Sequence, residues 1–322
     1  MYGPGIVYSP SVRYSSLLKV IAAAAVAVPL GLVVTSADAA EAPAVSPAVA
    51  VAAPAQPFAV GSRQLALSRG SDRPLPTTLW YPATGTTGTG RVTAGAAPAD
   101  GRFPVVLLSH GLMSLPSDLA AFGTRWAAAG FVVAAPAFPN TKRGAATFNM
   151  SDMVNQPADG SHVIGEVLAL GTTAGDPLFG RLDAGKVAAS GHSAGGYTTT
   201  GMLAGARDAR VRAAIVLSGA QLGGAYTGSP APVLFVHGDA DTTVPYVSGR
   251  AAYDALTWPK AFLTLSGGSH SGLLFPGGRG FTQVADTTTD FLRWTLYGDA
   301  AALSRLPAGA TAAGISTWES TF

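Results

Sequence analysis

The sequence predicts an α/β fold, a mostly parallel central sheet flanked by helices on both faces. Three observations predict it. Short apolar runs rich in β-branched residues alternate with longer stretches of helical periodicity, the pattern of strand–helix–strand units. Val105–Ser109 and Val233–Val236 are continuous apolar runs, as strands covered on both faces have to be. Hydrophobic residues make up 48% of the 322-residue chain and charged residues 12%, enough apolar material for one large core and too few charges for a disordered chain.

The elements follow in order. Thr77–Tyr81 is an early strand, and the Gly-, Thr- and Ala-rich Thr84–Gly101 a surface loop before the strand at Val105–Ser109. Ser117 is placed to cap a helix through Ala129, which Gly130 ends. Phe131–Ala135 is the next strand and His162–Gly171 the next helix. Lys186–Ala189 leads into a Gly-rich turn and a helix from about Ala194. Strands follow at Ala213–Leu217, Val233–His237 and Phe262–Leu265, and Thr282–Tyr297 is the last long helix. Only about fifteen residues separate Leu217 from Val233, too few for a large lid, so the site is expected to be mostly uncovered. Pro139–Asp159 is the one stretch placed to fold over it.

The N-terminus carries different information. Arg13 and Lys19 precede an apolar Val20–Val34, and Ala37-Asp38-Ala39 offers small residues at the cleavage-determining positions. An apolar stretch of about 15 residues is short for the roughly 20 a spanning helix needs. Residues 1–39 are therefore expected to be a removed export signal, with a retained anchor as the alternative. The Ala/Pro-rich residues 40–57 read as a linker, and 58–322 as one domain.

Charge and cysteine content exclude several classes. The 20 Lys and Arg residues are scattered and nearly balanced by 18 Asp and Glu, so no basic surface for nucleic acid is expected. With no cysteine there can be no disulfide, thiolate metal site, Cys nucleophile or lipid-bearing Cys. No metal-ligand spacing and no dinucleotide or phosphate loop is present, and no cofactor is expected.

Four motifs, each at the end of a strand, carry the chemistry. Gly191-His192-Ser193-Ala194-Gly195 fits the G-x-S-x-G elbow, in which a nucleophilic serine sits on a sharp strand-to-helix turn and glycines prevent clashes beside it. His237-Gly238-Asp239-Ala240-Asp241 follows the strand at Val233 and offers an acid to orient an imidazole; Asp241 is the first choice and Asp239 the competitor. Gly267-Gly268-Ser269-His270-Ser271-Gly272 supplies His270, the only histidine downstream of Asp241, giving the order Ser, Asp, His. Ser109-His110-Gly111-Leu112-Met113 should supply a backbone N–H for an oxyanion, from Leu112 or, with a turn one residue longer, Met113; Ala194 supplies the other. His110 is expected to support its loop, His192 to turn away from the reacting centre, His237 to satisfy a buried strand end, and His162 has no obvious partner.

Arg73-Pro74-Leu75-Pro76-Thr77-Thr78-Leu79-Trp80-Tyr81-Pro82, Phe103–Gly111, Gly191–Gly196, Gln156-Pro157-Ala158-Asp159 and Asp290–Trp294 together resemble the platelet-activating-factor acetylhydrolase-like and predicted dienelactone-hydrolase-like families of the α/β-hydrolase fold. Chlorophyllases and cutinase-like polyester hydrolases are similar relatives. The likeness runs from about Phe58 to Asp299. It implies hydrolysis of carboxylic esters, small or polymeric, by a triad of Ser193, Asp241 and His270, with main-chain oxyanion donors near Leu112 and Ala194. The polyester hydrolases often carry disulfides and a Trp where this chain has Leu217-Ser218-Gly219-Ala220, which argues against polyester activity, and the mostly uncovered site makes short-chain or exposed esters the expected substrates. Polyester or amide hydrolysis by the same triad is the alternative, and a catalytically inactive binding module the remote one.

Overall fold

The computed structural model describes residues 52–88, 90–205 and 207–322. The expected export signal and most of the linker lie outside them. The end of the linker stretch is packed: Ala53 lies against the core, and the Pro54 carbonyl accepts a 2.9 Å bond from Arg293.

Among the described residues, ten strands form one mixed sheet. They are β1 (Ala59–Ser68), β2 (Pro74–Ala83), β3 (Val92–Ala94), β4 (Phe103–Ser109), β5 (Val132–Pro136), β6 (Leu182–His192), β7 (Val211–Leu217), β8 (Val233–Gly238), β9 (Lys260–Leu265) and β10 (Ser316–Ser320). Their order is β10-β9-β8-β7-β6-β4-β5-β2-β1-β3. From β5 to β9 every neighbouring pair is parallel, while β2 joins β5, and β10 joins β9, antiparallel. The helices are α1 (Ala120–Ala128), α2 (Gln156–Leu170), α3 (Ala194–Gly201), α4 (Tyr246–Ala255), α5 (Phe281–Leu292) and α6 (Ala300–Ala310). This is the α/β-hydrolase architecture the sequence predicts. No helix among the described residues is long and apolar enough to cross a membrane.

The apolar strands are explained by burial on both sides. Along β4, Val105 and Leu107 enter a cluster with Val163, Ile164 and Val167 of α2 and Tyr253 of α4. Val106 and Leu108 enter the opposite cluster with Phe122 and Trp126 of α1, Phe291 of α5 and Leu306 of α6. Period-2 alternation thus survives in where side chains point and vanishes from the hydropathy pattern.

Several elements differ from expectation. Ser117 does not cap a helix: Pro116–Leu119 is a 3-10 turn, and Asp118 takes the capping role by accepting the Leu115 N–H at 3.1 Å. Helix α2 begins at Gln156, six residues before His162. Within the Thr84–Gly101 loop, β3 adds a short edge strand to β1. Thr282–Tyr297 is not the last helix. Helix α5 gives way to a π-helical turn at Arg293–Tyr297, Gly298 (φ 74°) ends it, and Asp299 caps α6 through Ala302 N–H at 3.0 Å. Strand β10, Ser-Thr-Trp-Glu-Ser, is an edge strand with no apolar run to betray it.

The topology places the site. From β4 the chain goes outward to β5, then crosses back over β4 to β6 and proceeds the other way. The loops after β4 and β6 therefore part at the carboxyl ends of adjacent strands, leaving the crevice where ligands bind in open α/β sheets.

Candidate active site

Ser193 lies between β6 and α3 at φ 56°, ψ −121°, a conformation an L-residue adopts only when its surroundings impose it. Its N–H donates to the Leu217 carbonyl of β7 at 2.9 Å. The flanking glycines are obligatory on steric grounds. A Cβ on Gly191 would overlap the backbone of Gly195, and one on Gly195 would overlap the carbonyl of Ser109. The turn is thus clamped between its own helix and β4, and the Ser193 hydroxyl projects above the sheet.

Asp241 and His270 reach it from the ends of β8 and β9. The Ser193 hydroxyl lies 2.8 Å from His270 Nε2, and His270 Nδ1 lies 2.7 Å from Asp241 Oδ2. With the proton on Nδ1, the ring donates to the carboxylate and accepts from the serine. Asp241 is 6% exposed, and its other oxygen accepts from the N–H groups of Thr243 (2.8 Å) and Val244 (2.9 Å). Burial raises its pKa, but His270 and these two N–H groups outweigh burial and hold the carboxyl below its ordinary value. Asp239 faces elsewhere: it is exposed, and it accepts from Gly267 N–H at 2.6 Å, tying the β8 loop to the β9 loop. The structure brings together Ser193, Asp241 and His270, and leaves Asp239 out.

The other histidines brace this arrangement. His237 Nε2 donates to the Val244 carbonyl at 2.9 Å and lies 3.2 Å from Asp241 Oδ2, so it steadies the acid as well as its own strand end. His192 does not turn away. Its ring centroid is 4.7 Å from that of His270, and its Nε2–H donates to the His270 carbonyl at 2.8 Å. His110 accepts from Phe138 N–H at Nε2 (3.0 Å), which leaves Nδ1 to donate to the Gly111 carbonyl (2.7 Å). Burial lowers the pKa of both His110 and His192 to about 4. His162 has a partner after all, the Ser68 carbonyl at 3.0 Å.

The two candidate oxyanion donors separate cleanly. Met113 N–H donates to the Thr141 carbonyl at 2.8 Å, whereas Leu112 N–H has no protein acceptor among the described residues. Ala194 N–H, at the first position of α3, is in the same condition.

Around these groups lies an open cleft of about 390 Å³, lined by Leu112, Met113, Ser193, His270 and Phe275, with Arg143 and Asp118 at its rim. Met113 and Phe275 are 53% and 51% exposed. Leu217, Ser218 and Ala220, by contrast, are buried, and the 218–232 connection contains no helix. Phe275, Arg143 and Asp118 are cleft residues with no signal in the sequence, since nothing local marks an exposed Phe or a paired Arg as facing a serine. Arg143 pairs with Asp118 at 3.0 Å and belongs to the Pro139–Asp159 stretch, which borders the cleft. Among the described residues no group of His, Asp or Glu side chains could hold a metal ion.

Fold and strained serine turn together define an α/β-hydrolase. The model of the PET hydrolase-like family matches residues 35–279, and the chain belongs to that family. The family match thus falls on the polyester-hydrolase side of the likenesses seen in the sequence. A bis(hydroxyethyl) terephthalate hydrolase of Streptomyces coelicolor (strain ATCC BAA-471 / A3(2) / M145) is 28% identical over 187 residues, covering 57% of this chain and 55% of the relative. The chain therefore matches little more than half the length of that relative.

Proposed function

We propose that this protein is a carboxylic ester hydrolase working through an acyl-enzyme on Ser193. The observation that carries the reading is the unbroken Ser193–His270–Asp241 hydrogen-bond chain at 2.8 and 2.7 Å. His270 takes the hydroxyl proton as Ser193 attacks the ester carbonyl, and Asp241 holds the tautomer and stabilises the imidazolium. The N–H groups of Leu112 and Ala194 receive the oxyanion, each contributing about 3 kcal/mol to lowering the barrier. His270 then protonates the departing alcohol. Water, deprotonated by the same imidazole, attacks the acyl-enzyme and releases the acid. Leu112 rather than Met113 is the donor, because the Met113 N–H already has an acceptor.

The open cleft supports soluble short-chain or exposed esters as substrates. Family membership and the terephthalate-ester relative support a second reading, a polyester or its aromatic ester fragments. The half-exposed Met113 and Phe275 beside Ser193 suit either. Hydrolysis of a p-nitrophenyl ester series from acetate to palmitate, with bis(hydroxyethyl) terephthalate and a polyester film alongside, separates the two. Ser193→Ala should abolish every activity while the protein stays folded, and retained activity would remove Ser193 as the nucleophile. Action outside the cell, after removal of residues 1–39, belongs to the same proposal; mass spectrometry of the mature N-terminus checks it.

A further inference from the structure

The two proposed oxyanion donors stand on different elements, Ala194 on α3 and Leu112 on the loop after β4. Each must lie within hydrogen-bond reach of one oxygen, so the spacing between the elements matters to a fraction of an ångström. A chain of buried hydrogen bonds joins them. Thr198 of α3 donates its hydroxyl to Gln156 Oε1 at 2.6 Å. Gln156 Nε2 donates to the Thr141 hydroxyl at 2.7 Å. The Thr141 carbonyl accepts from Met113 N–H at 2.8 Å, one residue beyond Leu112. The three side chains are fully buried, at 0% exposure each, and none of them lines the cleft.

On the ester-hydrolase reading above, we infer that Gln156 and Thr141 are positioning residues that set the separation of the Leu112 and Ala194 N–H groups. The residue types fit the task. A primary amide both accepts and donates, so Gln156 satisfies a hydroxyl at each end without introducing charge into the core. It is also the first residue of α2, where the preceding chain, Thr141 included, meets the helix. Met113, in left-handed backbone (φ 54°), spends its N–H on the Thr141 carbonyl, and the neighbouring Leu112 N–H is left for a ligand. By sequestering one N–H of two adjacent candidates, Thr141 selects which one binds the oxyanion.

The test compares substitutions that break the chain at nearly constant volume, Thr141→Val removing its bond from Gln156 and Gln156→Met removing both bonds of the amide. Thr141→Val and Gln156→Met should each lower kcat by about 10- to 100-fold, in the range of a displaced donor, with KM changing by less than about twofold. Affinity for an aryl boronic acid, which forms a tetrahedral adduct on the serine, should fall by the same factor as kcat. Thr141→Ser, which keeps the hydroxyl, should restore both. Arg69→Gln, which breaks an ion pair to Asp159 away from the cleft, supplies a control for lowered thermal stability alone and should leave kcat and boronate affinity unchanged. If wild type is active and Ser193→Ala is not, yet Thr141→Val and Gln156→Met behave like the Arg69 control, the positioning role is wrong and the esterase reading stands. Losses confined to KM also overturn it. If wild type has no Ser193-dependent esterase activity, both fall.

Discussion

The serine turn and the stretch from Pro139 to Asn155 border the same cleft and are built in opposite ways. At the turn, placement is a matter of backbone against backbone: Gly191 on Gly195, Gly195 on Ser109, and the Ser193 N–H on Leu217. The Pro139–Asn155 stretch has no strand or α-helix, and side chains from distant parts of the chain hold it. Arg73, 79 positions before Asp152, forms a two-bond pair with that carboxylate at 2.9 and 3.0 Å, and it also binds the fully buried Asp159. Phe148, Met150 and Val154 are left exposed on the outside of the same stretch. Crowding defines the first region through what it forbids. The second is defined by a few satisfied polar groups, which are costly to disturb but tolerate change between them.

The largest effect is expected at the acid that reaches the serine turn through His270. Asp241→Asn should lower kcat by about 10⁴-fold, because an amide no longer fixes the His270 tautomer or balances its charge. Asp239→Asn should cost less than about tenfold, since that carboxylate only joins two loops. Steady-state kinetics on one activated ester ranks them, and the reverse ranking would move the triad to Asp239.

Glycine substitutions sharpen the contrast next. Gly195→Ala drives a methyl into the Ser109 carbonyl, and neither partner is a side chain that can move aside. It should cost at least about 3 kcal/mol of stability. Gly144→Ala, in the Pro139–Asn155 stretch, meets nothing within 4 Å and suffers only its positive φ of 72°, for about 1 kcal/mol. Urea denaturation midpoints compare the two, and equal losses would mean that the crowding at the elbow is relieved by backbone adjustment.

This difference also explains what could be read from the sequence. The elbow demands particular residue types at adjacent positions, so Ser193 and its glycines are legible, as are Asp241 and His270 at the ends of apolar strands. The parallel strands are legible for a related reason, burial on both faces, whereas β10 and α6 lie at the sheet's edge and carry a weak pattern. His192 misled because the backbone of the turn can be inferred while the seat of a neighbouring ring cannot. Gln156, Thr141, Arg143 and Phe275 were illegible as site residues. Their roles depend on partners that only the assembled fold brings near, such as Thr198, 42 positions from Gln156.

Acid should weaken both regions through their buried rings. His192 belongs to the elbow and His110 bridges the loop after β4 to Phe138, and both have pKa values lowered from 6.5 to about 4. Well above pH 6.5 both rings are neutral in the folded and unfolded chains alike. Between pH 6.5 and about 4 the unfolded chain takes up the protons first, so stability falls over that window, by roughly 3 kcal/mol per histidine once complete. Asp241 and Asp152, whose folded pKa values are lowered, contribute stability of the opposite origin that is lost only further down, below about pH 4. Unfolding free energies between pH 7 and pH 4.5 should reveal uptake of at least two protons, His237, whose pKa burial also lowers, adding to His110 and His192. A flat profile would show that these rings are hydrated or charged in the native state.

The smallest effect concerns the half-exposed walls of the cleft, which neither backbone crowding nor a polar network fixes. Phe275 lies on the loop beyond His270 and Met113 on the loop after β4, so an acyl or aryl group on Ser193 would have an apolar surface available on either side. Each of these side chains has about half its surface left to bury against a substrate, and contacts of this size discriminate by about 1 kcal/mol. Phe275→Ala and Met113→Ala should therefore each lower kcat/KM for an aromatic or long-chain ester by about three- to tenfold and leave the acetate ester nearly unchanged. Equal losses across the ester series would instead assign these side chains to holding the His270 and Leu112 loops in place. That outcome would put the walls with the braced part of the molecule and leave substrate preference to the width of the cleft.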